Sequence, residues 1–199
     1  MTDTHKDYEG AKLGMWLFLF TEILLFGGLF VLFAVYMARH HEAFHMASRH
    51  LDVRMGAANT VVLITSSWLA ALAVAALKRG QDARARGLTL GTIALAGVFL
   101  VIKYFEWSAK FRHGLYPGSE HLAAGPPGEA VYFAMYYAMT GLHGLHVTVG
   151  MGVLGFAWWL MRTGRCTRAD FVFLENGALY WHLVDLIWIY LFPLFYLVG

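Results

Sequence analysis

The chain has 199 residues, of which 59% are hydrophobic and only 14% charged, and its mean hydropathy is +0.55. That balance is too apolar for an ordinary soluble domain and points to an integral membrane protein. The formal net charge of +2 is spread over short loops, which leaves no electrostatic footprint for nucleic acid, and the single cysteine, Cys166, excludes an internal disulfide, a paired-cysteine redox motif and a cysteine-rich metal site.

A transmembrane helix needs roughly 20 largely apolar residues to cross about 30 Å of hydrocarbon. Five segments meet that requirement, near 13–38, 56–77, 87–109, 130–161 and 172–198. The first follows the polar start MTDTHKDYEGAK, is longer than a signal-peptide core and lacks a small-residue cleavage site, so it is expected to persist as the first span. The second and third are joined by the basic stretch Lys78–Arg86. After the third comes the longest connection, FRHGLYPGSEHLAAGPPGEA at 111–130, whose Pro-Gly chemistry predicts an ordered, turn-rich connector. The fourth segment exceeds the hydrocarbon thickness and is predicted to tilt or protrude into water. With no internal repeat and loops too short for another domain, residues 1–199 read as one all-α domain, a five-transmembrane-helix bundle.

An odd number of spans puts the termini on opposite sides. The side of the N-terminus collects nine basic residues, from Lys6 and Lys12 through Lys78, Arg79, Arg84 and Arg86 to Arg162, Arg165 and Arg168. The other side has five, namely Arg39, Arg49, Arg54, Lys110 and Arg112. The positive-inside tendency then places the N-terminus in the cytoplasm and the C-terminus outside.

Ionisable residues at bilayer depth are costly and mark the functional shortlist. Glu22, in WLFLFTEILLFGG, has no charged neighbour within two turns, so it either finds a partner on another helix or carries a proton. Lys103 and Glu106 are three residues apart on one helix face, which predicts a structural ion pair near the outer interface, where long side chains can reach toward water. His143 and His146, in TGLHGLHVTVG, have the same spacing, with Thr140 one turn earlier. Two imidazoles could begin a metal site with His182 as a third ligand, but a closed site usually wants three or four ligands. Asp185, one turn from His182 in WHLVDLIW, could instead orient that imidazole.

Interhelical hydrogen bonding explains His143, His146, His182 and Asp185 with no metal, and a proton relay is a further reading of the histidine pair. The recurrence of Gly144, Thr148 and Gly152 every four positions, like Gly87 and Gly91 in the third span, predicts close approach of a neighbouring helix. A transhelical b-type haem would need His182 with His143 or His146 as axial ligands. The histidines His40, His41, His45 and His50 fall in one outer loop, where solvent or the lipid interface is their expected environment.

Four blocks carry a resemblance over nearly the whole chain: TEILLFGGLF in the first span, NTVVLITSS at 59–67, TGLHGLHVTVG, and YWHLVDLIWIYLFPLFYL at the end. Together, in this order, they resemble subunit III of the haem-copper terminal oxidases, in its short five-helix bacterial form. The resemblance implies a non-redox accessory subunit of the bacterial inner membrane, with the C-terminus on the periplasmic side. It would have no catalytic residues, cofactor or metal of its own, with haem and copper held by its partners.

Those partners would be the catalytic subunit I, subunit II and, as a further candidate, subunit IV. The subunit would bind phospholipid, stabilise subunit I and support proton uptake by a proton-pumping cytochrome c oxidase. By position, Glu22 matches the family's membrane-embedded, lipid-cleft and proton-linked glutamate, and Glu106 in KYFEWSAKF a second family acid. His143, His146, His182 and Asp185 match its two histidine motifs, with a structural role between helices. Lys103 is not associated with the whole family, and its role rests on the ion-pair argument. Quinol oxidases often carry aspartate at the place of Glu22, so glutamate favours cytochrome c as donor; a quinol oxidase subunit, a nitric-oxide reductase accessory subunit, a small b-haem electron carrier and a transporter working through Glu22 stand as alternatives.

Overall fold

The computed structural model describes residues 8–198, which leaves Lys6, one of the basic residues counted above, outside the described part. Seven helices follow in order: α1 (Tyr8–Arg39), α2 (His41–Ser48), α3 (Val53–Lys78), α4 (Asp82–Arg112), α5 (Glu120–Ala124), α6 (Pro127–Arg162) and α7 (Val172–Tyr196). Among the described residues the only β pairing is an isolated bridge between Thr167 and Asp170. Five helices, α1, α3, α4, α6 and α7, are long and apolar enough to cross a membrane, as expected, and each begins or ends within five residues of its predicted limit.

Local chemistry sets those limits. Asp52 caps α3, its Oδ1 accepting from the backbone N–H of Arg54 at 2.9 Å and of Met55 at 3.3 Å. Gly80, at φ 75°, turns the chain between α3 and α4. Pro127 opens α6 at a position where the missing N–H is no loss. The 111–130 connector is ordered around α5, capped by Ser119 Oγ accepting from Leu122 N at 3.2 Å. The stretch read as a histidine-bearing outer loop is in part helix α2, which buries Phe44 and Ala47. Its His45 is part-buried, with Nδ1 at 3.0 Å from the carbonyl of Val198, rather than simply solvated. The cause is a pair of apolar residues three apart in a segment too short to show a period.

The core is made by α3, α4, α6 and α7: α3 packs on α4 and α7, α4 on α6, and α6 on α7. Helix α1 lies outside this set, against α6 and α7. Three glycines permit the closest approaches, the first being Gly128, where a Cβ would meet that of Ala43 at 2.7 Å. A Cβ on Gly150 would meet the Trp181 ring at 2.8 Å, and one on Gly56 would meet Phe192 at 2.8 Å. The stripe expected to receive a neighbouring helix does not do so within this chain, since nothing lies within 4 Å of a Cβ built on Gly144 or Gly152. Spacing by four gives a smooth face; it does not say which helix comes to it.

At the end of the bundle opposite the N-terminus of α1, rings tie α1 and α2 to the core. Phe33 meets Phe44 at 5.3 Å and Phe195 at 4.9 Å, and Tyr132 donates to the carbonyl of Phe195 at 2.7 Å. At the other end Glu175 receives Lys12 at 2.8 Å and Lys78 at 2.6 Å. Around the bundle large apolar side chains such as Leu13, Trp16, Val31, Val61 and Trp68 are each at least 60% exposed. Such a surface is at home in hydrocarbon, where lipid is the solvent.

Candidate functional site

The polar residues of the interior gather in three groups. In the first, Lys103 Nζ donates to Glu106 Oε2, to Tyr136 Oη and to Tyr196 Oη, each at 3.0 Å. Tyr136 and Tyr196 in turn donate to Glu106 Oε1, at 2.9 and 2.7 Å. The three ammonium protons are thereby all used, and both carboxylate oxygens are engaged. Lys103 Nζ also stands 4.9 Å from the centre of the Tyr136 ring and 5.1 Å from that of Trp188, where ring faces favour a cation. Lys103 is 7% exposed and Glu106 2%. The lysine thus turns into the α4, α6, α7 core instead of reaching toward the interface, because Tyr136 and Tyr196 complete a polar shell for it there. Glu106 also lines a cavity of about 470 Å³ at this end of the bundle, with His50, Asp52, Lys110, His113 and His121.

The second group joins α1 to α6. Glu22 Oε2 lies 2.9 Å from His146 Nε2, and the side chains are 14% and 13% exposed. His146 Nδ1 lies 2.7 Å from the carbonyl of Leu142 and must carry a hydrogen there, since a carbonyl only accepts. The Glu22–His146 contact therefore holds one further proton, on the acid or on the imidazole, and the pair has no net charge in either form. Phe26 covers the imidazole edge-on at 5.2 Å, and Tyr180 donates to the carbonyl of His146 at 3.1 Å. One turn along α1, Phe26, Gly27 and Phe30 form an apolar groove of about 340 Å³ with Leu183, Ile187 and Tyr190 of α7.

In the third group, His182 Nδ1 and Ser67 Oγ share a hydrogen bond of 2.6 Å between α7 and α3. The partner that orients His182 is thus a serine from another helix, whereas Asp185, one turn away, leaves Oδ1 unpartnered. The neighbouring Trp181 donates to Ser66 Oγ at 3.1 Å.

His143 belongs to none of these sets. It is fully buried, 5.5 Å from the Phe99 ring and 5.3 Å from that of Trp188, and neither ring nitrogen has a hydrogen-bond partner. It joins helices through ring contact and not through the hydrogen bond expected of it. Among the described residues no three His, Cys, Asp or Glu side chains converge as metal ligands. For a transhelical haem, His146 has both nitrogens engaged, and none of the cavities of about 470, 410, 460 and 340 Å³ is lined by His143, His146 or His182.

Sequence reasoning paired Lys103 with Glu106 from their spacing but missed Tyr136, Tyr196 and Ser67. The signal available for the tyrosines was a hydroxyl inside an apolar run, which needs a partner when buried. For Ser67 there was none, because a serine can satisfy itself on its own helix.

Comparison with known proteins bears on what these groups belong to. A model of the family described as cytochrome c oxidase subunit III matches residues 2–199. Cytochrome c oxidase subunit 3 of Thermostichus vulcanus is 31% identical over 195 residues, covering 98% of this chain and 90% of the relative. The subunit 3 of Saccharomyces cerevisiae is 29% identical over 208 residues, 96% of this chain and 68% of its own. A protein of Aeropyrum pernix named heme-copper oxidase subunit I+III is 32% identical over 203 residues, which are 96% of this chain but 23% of that longer protein.

Proposed function

The chain belongs to the cytochrome c oxidase subunit III family, and on that premise we propose that it is a non-redox accessory subunit of a bacterial cytochrome c oxidase, seated in the inner membrane with its N-terminus in the cytoplasm. It packs against subunit I, with subunit II and a subunit IV as further neighbours, binds phospholipid beside Glu22, and stabilises the catalytic subunit while supporting proton uptake. The haem and copper are held by the partners, and this chain contributes packing and a proton-bearing pair.

The observation that carries this reading is the seam between α1 and α6. Glu22 and His146 share a proton between α1 and α6, next to an apolar groove of about 340 Å³ whose lining suits an acyl chain. The closed Lys103–Glu106 shell, by contrast, is built to stay as it is, which suits a structural element of an assembly subunit. The Aeropyrum pernix relative, named as subunit I and III in one protein, supports the pairing with subunit I.

The test begins with mass spectrometry of what co-purifies with this chain from native membranes in mild detergent. A large histidine-rich haem-copper subunit is the expected companion, and a subunit with a copper-binding cysteine pair would assign cytochrome c as donor. Recovery of the chain alone would overturn the accessory role. Within the complex, Glu22→Ala is expected to lower bound phospholipid and shorten the turnover lifetime while haem absorbance stays unchanged.

A further inference from the structure

Two fully buried side chains of the bundle have no hydrogen-bond partner for any of their polar atoms: Oδ1 and Nδ2 of Asn59, and Nδ1 and Nε2 of His143. Both residues are 0% exposed, so neither bulk water nor lipid headgroups reach them. They occupy one level of the core. Thr92 Oγ1 of α4 donates to the carbonyl of Ser66 on α3, and from that bond Asn59 and Phe99 each lie two turns further toward the same end of the bundle. Phe99 is the ring against which His143 sits. Trp188 closes the layer, 4.8 Å from Phe99 and 5.3 Å from His143, with its indole N–H donated to Thr60, the residue after Asn59.

Buried polar side chains in native proteins are nearly always bonded, and where no protein group supplies the bond an ordered water does. We propose that Asn59 and His143 form a hydration site, in which ordered water is held between the Asn59 amide and the His143 imidazole in the layer shared by α3, α4, α6 and α7. The chemistry suits water and little else. The amide offers two donors and an acceptor, and the neutral imidazole one of each, which together meet the two to four partners that a buried water requires. Phe99 and Trp188 are the rings that flank His143 in this layer.

The position gives the site its interest. On one side Lys103 stands 5.1 Å from the Trp188 ring, and on the other, one turn along α6, His146 meets Glu22. Water at this level puts a polar group between two of the ionisable sets of the bundle, Lys103 with Glu106 and Glu22 with His146. The inference rests on packing inside this chain and stands whichever oxidase the subunit serves.

Two measurements test it, both on the intact complex purified with this chain. Cryo-electron microscopy of the unaltered complex, at a resolution that shows water, should find density within hydrogen-bond distance of the Asn59 amide and of a His143 nitrogen; a dry layer overturns the site. The variants Asn59→Leu, His143→Phe and the double variant then form a thermodynamic cycle. Each single change should lower the thermal midpoint by stranding the other polar group, and the double variant should lose less than the sum of the two. Losses that simply add overturn the site. If a single variant fails to assemble, the double variant should restore assembly, and its failure to do so counts as the same negative result.

Discussion

Two acids within the membrane spans, buried Glu106 and part-buried Glu22, sit on different terms with their surroundings. Glu106 is inside the α4, α6, α7 core, matched by an ammonium three residues away and two tyrosine hydroxyls. Glu22 lies on the peripheral helix α1, and its partner is one imidazole 124 residues further along the chain. The first carboxylate is locked by a saturated shell, and the second shares a single proton across a helix seam. The contrast teaches that an acid in a membrane span can be fastened by several donors at once or held by a single partner on another helix, and that the number of donors around it sets how firmly it is fixed.

The largest expected effect breaks the fastener. Glu106→Leu strands the Lys103 ammonium in the core, and removing one member of a buried pair costs about 3–5 kcal/mol. The purified complex should therefore lose its thermal transition or this subunit, and joining Lys103→Met to the same variant should restore most of the loss. An unchanged midpoint for Glu106→Leu alone would abolish the distinction between the two acids. Next comes overpacking of the same core: Gly150→Ala places a methyl 2.8 Å from the Trp181 ring and should cost about 1–3 kcal/mol, while Gly144→Ala, which meets nothing within this chain, should leave the midpoint unchanged.

Glu22→Gln sharpens the comparison from the other side. The amide can still meet His146, so the expected stability loss is about 1 kcal/mol, with the phenotype in bound lipid and turnover lifetime. A loss as large as that of Glu106→Leu would make Glu22 a fastener too. The smallest effect belongs to Lys12→Ala, since Glu175 keeps Lys78 at 2.6 Å and an exposed pair is worth at most about 1 kcal/mol. That small shift should vanish in high salt.

The same contrast shows what could be read in advance. The five spans were legible because hydrocarbon thickness imposes a length on each of them, and Lys103 with Glu106 was legible because spacing by three is a local property of a helix. Helix α2 was not, since eight residues carry too few apolar positions to show a period. Nor were Glu22 with His146, or His182 with Ser67: periodicity names the face a side chain is on and leaves open which helix arrives there. The glycine pattern shows this most plainly. Gly144 and Gly152 form the visible motif yet meet nothing within this chain, while Gly150, two positions before Gly152, receives Trp181.

The peripheral seat of α1 also has a consequence for biosynthesis. The helix made first packs on the two made last, α6 and α7, and not on α3, which follows it through the short helix α2. While α3 and α4 are still emerging, the eventual partner of Glu22 is not yet translated. Closure of the bundle is thus a late event, set by the arrival of His146. A ribosome stalled before that residue should leave α1 exchangeable with lipid or held by the insertion machinery, and crosslinking from position 22 in staged truncations should switch from those neighbours to α6 once TGLHGLH has entered the membrane.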